Sequence, residues 1–297
     1  MRLFARAAAF AAALTLASHA APTPAPKKSE PAIWTIQKDN GTTITLFGSI
    51  HILGENDTWR TSALEAAYKA ADVIVLETDV SVMGTSEMQS YIARASMNEA
   101  GTTLSELLGP EQTVTVTKAA DAAGISFAAM EPYKPWFAAL QLSVSNAAAK
   151  GFSADQGVDK ALENEGRTDG KAIAYFEKTR EQLDLFIDLP MEEQIAFLVF
   201  GATEVLERPD ELKDLIAAWA KGDVAEIDAL MNRGLEGTPL VQKALLEDRN
   251  ARWVKVIREF FLKDNNSYLI VVGAGHLAGD DSVIAMLRDE GIEVEGP

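Results

Sequence analysis

The chain has 297 residues, 47% of them hydrophobic and 24% charged, which is enough to bury a sizeable core and excludes a disordered, collagen-like or coiled-coil chain. Its balance is acidic, with 27 Lys and Arg against 44 Asp and Glu and a net charge of −17, so it repels phosphate backbones and nucleic acid is not an expected partner. It contains no cysteine, which excludes disulfides, thiolate metal sites, iron–sulfur clusters and thiol nucleophiles.

Arg2 and Arg6 precede an apolar run over 7–17, and Ser18-His19-Ala20 offers small residues beside a cleavage point. The run is shorter than the ~20 residues a membrane-spanning helix needs. Residues 1–20 therefore read as an export signal, 21–31 as a Pro-rich leader and 32–297 as a single domain in the periplasm or the medium. No later stretch approaches spanning length, so no stable membrane span is expected once the signal is removed.

Alternating residues at 33–37 and 43–47 flank Asn40-Gly41, a hairpin signal. Residues 60–71 read as a helix and 72–76 (DVIVL) as a buried strand. Helices are expected over 86–97, 111–123, 136–150 and 155–165, with strands at 125–130 and 172–176. From 180 to about 262 the apolar spacing is helical throughout, broken near Pro190, Pro209, Gly222 and Gly237. A buried strand at 268–272 (YLIVV), a helix at 280–290 and a last strand at 292–295 close the chain. The expected fold is α/β: a mixed central sheet, surrounded by helices and carrying a mostly helical insertion.

Beyond residue 20 the chain has two histidines, and they fall in matching segments. TLFGSIHILGEN (45–56) and IVVGAGHLAGDD (270–281) both run strand, Gly-x-x-His, aliphatic residue, any residue, Gly, acid, then Asn or Asp. The repetition implies two similar strand–loop–helix units. Gly48 and Gly273 are expected at strand ends, where glycine bends the chain freely. His51 and His276 would then stand at strand mouths, the usual place for a site on an α/β sheet. Units packed about a pseudo-twofold axis would turn both imidazoles into one cleft. Two histidines and a carboxylate form a common catalytic metal site with a position left for water. Glu77, ending DVIVLET, is the first candidate carboxylate, and Glu131 and Glu177 are the next. Each can ligate metal, act as a base or position substrate.

Other patterns are weaker. Gly273 to Ala278 fits G-x-G-x-x-A, but too little chain follows for a dinucleotide-binding domain. Ser49 and Ser282 lack the Gly-x-Ser-x-Gly setting of a nucleophile.

LFGSIHILGENDTW with ADVIVLET, and VVGAGHLAGDDSVIAMLRDEGIEVE, resemble the two end signatures of the TraB/PrgY/GumN family. That family is related to the Tiki metalloproteases and more distantly to erythromycin-esterase-like and haem-binding ChaN-like proteins. GFSADQGVDKALENEG resembles its Gly-Val-Asp segment, FEKTREQLDLF its Glu-bearing stretch and LLEDRNARWVKVI its Arg-Asn helix. The resemblance implies an exported metal-dependent hydrolase, a peptidase acting on a peptide or protein. His51, Glu77 and His276 would hold the metal, Zn, Mn or Co, with Glu77 a ligand or the base. Arg249 and Asn250 would act in catalysis through substrate or an oxyanion. Phe176-Glu177-Lys178 departs from the family's Leu-Glu-Thr, which weakens any role for Glu177. The alternative is a non-catalytic periplasmic binding protein that holds haem, a metal or a peptide signal with the same two histidines.

Overall fold

The computed structural model describes residues 29–235 and 238–297. The export signal and most of the leader lie outside the described residues. The last leader residues are packed rather than free. Ser29 is buried, and Glu30 donates its backbone N–H to Ala220 O at 2.8 Å.

Among the described residues, seven strands form two sheets: β1 (Ile33–Gln37), β2 (Thr43–Ser49), β3 (Leu53–Gly54), β4 (Val73–Leu76), β5 (Phe152–Ser153), β6 (Ala172–Tyr175) and β7 (Tyr268–Gly273). The main sheet has the order β1-β2-β7-β4-β6, with β1 antiparallel to β2 and all other pairs parallel. The small sheet pairs β3 with β5.

Short apolar runs form the central strands because helices cover both faces of the sheet, the arrangement in which parallel strands are stable. Side-chain alternation divides them between two cores. Phe47, Ile74, Leu76, Leu269 and Val271 face one side with Trp219 and Leu230. Ile44, Leu46, Val75, Ile270 and Val272 face the other with Trp253 and Ile257. A third core joins Leu104, Val116, Met130, Leu142 and Leu198, so the helical lobe is built from both 104–142 and the 191–207 helix.

Three expectations need correction. Residues 125–130 are not a strand: Phe127–Met130 is a short helix that buries only Met130, because FAAM lacks alternating apolar residues. Residues 292–295 form no strand beyond one bridge, Glu295 to Thr35 on the edge strand. The two Gly-x-x-His units are not related by a twofold. β2 and β7 are parallel neighbours in register, Gly48 opposite Val272 and Ser49 opposite Gly273, so one unit is shifted sideways onto the other.

Candidate functional site

The parallel strands deliver their carboxyl ends to one edge, and the candidate residues gather there. His51 lies just past β2 and His276 on the turn Ala274–Leu277 after β7. Glu77 follows β4 directly. The β4–β6 pairing continues past its last strand residues, with Glu177 N–H donating to Glu77 O at 3.0 Å, so Glu177 stands beside Glu77. Arg249 and Asn250 project from the helix Asp248–Val256 on the face that also buries Trp253. A π-helical turn, Lys243–Glu247, leads into that helix, a distortion often found at functional sites.

The role of the motif glycines is close approach rather than a bend. Gly48 lies within β2, where a Cβ would sit 3.0 Å from the Ala274 Cα. A Cβ on Gly273 would sit 3.2 Å from Glu77 Oε1, 3.3 Å from His51 Nε2 and 3.6 Å from His276 Cδ2. Its absence leaves the space onto which all three candidate ligands open.

Each histidine is held by its far nitrogen. His51 Nδ1 lies 2.6 Å from Asp159 Oδ2, and Ser49 Oγ donates to the other oxygen of that carboxylate. The β3–β5 pairing and the bond from Val158 N–H to Ile50 O bring Asp159 there across 108 residues. Gly157 permits the approach, since a Cβ on it would lie 2.3 Å from His51 O. His276 Nδ1 lies 2.6 Å from Asn250 Oδ1, whose amide donates to Asp281 O. Arg249 Nη1 donates to His276 Nε2 at 2.9 Å, which fixes His276 as the neutral, Nδ1-protonated tautomer. Both Nε2 atoms face one oxygen: His51 Nε2 is 3.8 Å and His276 Nε2 3.7 Å from Glu77 Oε1.

Electrostatics separate the two rings. The Asp159 carboxylate is the main influence on His51 and raises it to about 9, although the ring is 57% exposed and solvent moderates the effect. Burial pushes His276 down to about 3, with Arg249 acting in the same direction. Burial alone would raise the Glu77 carboxyl. The rings of His276 and His51 when protonated, the Arg249 guanidinium and the Gly273 N–H outweigh it and hold Glu77 well below the usual carboxylate range. Near pH 7 His276 is neutral and His51 is protonated, so His51 at 3.8 Å, Arg249 at 2.5 Å and Gly273 at 2.7 Å are the partners that operate there.

Arg249 is enclosed, its side chain 5% exposed. It donates to Glu77, to Glu177 through Nε and Nη2, to Leu245 O and to His276, and it stacks over Trp253. Gln182 adds an N–H to Glu77 at 3.1 Å.

The structure thus brings His51, Glu77, His276, Arg249 and Asn250 together. It adds Glu177, which the sequence had discounted, and Asp159 and Gln182, which it had not singled out. Glu131 lies elsewhere and accepts from Ser105 N–H in the helical lobe. The Gly-Val-Asp segment was the available signal for Asp159.

As the side chains stand, no group of three or more His, Asp or Glu among the described residues closes on a common point to hold a metal. The donor chemistry nevertheless fits one. Ligating histidines characteristically have the second ring nitrogen tied to an oxygen, as both are here. With both rings neutral, three carboxylates (Glu77, Glu177, Asp159) stand against two guanidiniums, Arg249 on Glu77 and Glu177 and Arg252 on Glu177 at 3.6 Å, so the cluster keeps a net negative charge toward a cation. Occupancy requires His276 Nε2 to part from Arg249 and His51 to release its Nε2 proton.

The fold and site define an α/β protein whose parallel strands converge on a cleft of two histidines, paired acids and a buried arginine. The chain belongs to the TraB/PrgY/gumN family, which matches residues 32–296. It is 24% identical over 243 residues to uncharacterized protein YbaP of Escherichia coli (strain K12), covering 82% of this chain and 87% of that protein, and to the same degree to YbaP of Shigella flexneri. No solved structure matches it. Among the described residues, no helix is long and apolar enough to cross a membrane.

Proposed function

We propose that this chain is an exported metal-dependent hydrolase, a peptidase in its simplest form, acting where His51, Glu77 and His276 converge. The reading rests on one observation: two imidazoles, each anchored through Nδ1, present Nε2 to the same Glu77 oxygen at 3.8 and 3.7 Å. His51, Glu77 and His276 would hold Zn, Mn or Co. When bound, such an ion supplies a water of lowered pKa and polarises a carbonyl.

The chain's own groups prepare the site. Asp159 and Asn250 orient the two rings. Arg249 and Asn250 lie inside the wall with their polar atoms engaged by protein groups, so they position the acids and His276 rather than reach a substrate. Glu177 balances the Arg249 charge and holds its guanidinium against Glu77. Glu77 accepts the fixed donors of Gly273 and Arg249 and is thereby kept ionised, as a ligand or a base must be.

Residues 1–20 support export, which N-terminal sequencing of the protein recovered from the periplasm would test. The test of the site is elemental analysis after dialysis against each candidate metal, on the parent and on His51→Ala and His276→Ala. About one equivalent in the parent and none in either variant is expected. No metal in any form would sink the reading.

A further inference from the structure

Two cavities meet at His51. The larger, about 560 Å³, is polar on the side of Glu77, Asp159, Glu163, Asn164 and Arg167. The smaller, about 250 Å³, opens beside Gly273 and His276. Its wall is Ile50, Ile52, Leu212, Leu215, Met231 and Leu246, and it is lined by no acid, lysine or arginine.

The helices Glu211–Ala220 and Val224–Gly234 supply Leu212, Leu215 and Met231, which are only partly buried at the margin of the first core. Met231 is fitted to the turn that carries His276: a Cβ on Gly275 would lie 2.8 Å from its Cε. The apolar wall and the reactive edge are therefore parts of one packed unit. A positively charged group entering the small cavity would lose its water with no acid on the lining to replace it, and would face the His51 ring, a penalty of several kcal/mol. An uncharged apolar group would gain by burial. Pockets for whole ligands run roughly 300–1,000 Å³, so this one takes a single group.

We infer that the smaller cavity is a subsite for one uncharged apolar side chain of the substrate, of leucine or phenylalanine size, next to the bond that reacts at His51. The rest of the substrate runs through the larger cavity, past Glu77, Asp159 and Arg167. The inference rests on the hydrolase reading only for the position of that bond.

The test uses the full chain labelled with ¹³C-methyl methionine, with Met231 among eight methionines assigned through Met231→Leu. Titration with 1-hexanol should move the Met231 methyl, and 1,6-diaminohexane, of equal length but charged at both ends, should not. Leu215→Phe, which fills the cavity, should weaken hexanol binding roughly 10-fold, and Leu212→Gln should weaken it too. A Met231 methyl indifferent to hexanol, or binding unchanged in both variants, would overturn the subsite. In a peptide library, cleavage should fall beside Leu or Phe and move toward Ala in Leu215→Phe, and cleavage without an apolar preference would overturn it as well. A hexanol response lost in both variants, with no peptide cleaved by the parent, would support the subsite and count against the hydrolase reading.

Discussion

Replacing Arg249 by methionine removes the buried cation that touches both Glu77 and Glu177, leaving the more exposed Arg252 on Glu177 at 3.6 Å and His51 on Glu77 at 3.8 Å. The Glu77 and Glu177 side chains are 6% and 5% exposed, and Arg249 touches each at 2.5 Å. Methionine keeps much of the apolar stem over Trp253 but none of the five N–H contacts. Breaking a buried pair by deleting one partner costs about 3–5 kcal/mol. A chain of this size shifts by roughly 2–4 °C per kcal/mol, so the melting temperature at pH 7 should fall by about 10 °C. The sign with pH follows from linkage. Arg249 is one of the groups that hold the Glu77 carboxyl below its unfolded value, so its loss lets that carboxyl rise toward the unfolded value and removes part of the stability Glu77 contributes above about pH 4.5. The deficit is then full near pH 7 and shrinks toward about pH 3. Glu177→Gln added to Arg249→Met removes a buried charge that only the exposed Arg252 would still pair, and should recover part of the loss. Urea midpoints and melting curves at the two pH values read all of this. A loss below about 1 kcal/mol, or a double variant no more stable than the single, would show that the cluster is not held together by this arginine.

Gly273→Ala should leave the fold near its parent stability, because the backbone there is ordinary (φ −51°), yet weaken metal uptake at least 10-fold, since the new Cβ enters the space shared by His51, Glu77 and His276. Unchanged uptake would place the ion elsewhere. Gly157→Ala should cost about 2–4 kcal/mol in a thermal melt, because its Cβ would lie 2.3 Å from His51 O; a parent-like melt would remove the case for close approach. Burial and the neighbouring Glu204 raise Glu211 to about 7, so the parent should lose stability as pH climbs from about 4.5 toward 7. Glu211→Gln should be more stable above pH 7 by about 1 kcal/mol after discount for solvent screening and equal to the parent below pH 4.5. An offset independent of pH would mean that this carboxyl does not titrate as described.

Much of the candidate site was legible because it is local. Gly-x-x-His after an apolar run marks a strand delivering an imidazole to its carboxyl end, and Leu76-Glu77 does the same for an acid. Such signals need only the two-residue period of a strand and the scarcity of histidine. The helices from 180 onward were visible in the 3.6-residue period, though not which core each would serve.

Sheet order and distant pairings were decided only in three dimensions. Nothing along the chain says that β7 lies between β2 and β4, which puts His276 next to both His51 and Glu77. Glu177 was discounted on its neighbours in sequence, yet parallel pairing of β6 with β4 sets it beside Glu77 and against Arg249. Asp159 reads alone as an acid in a helix's first turn, and only the β3–β5 pairing carries it to His51. The sequence by itself determined the five strands of the main sheet, though not that 125–130 and 292–295 would fail to become strands, and that a histidine follows two of them, because backbone sterics and side-chain period act over a few residues. The tertiary structure decided which acids and which arginine complete the cluster, because burying apolar surface on both faces of the sheet selects among many possible long-range pairings.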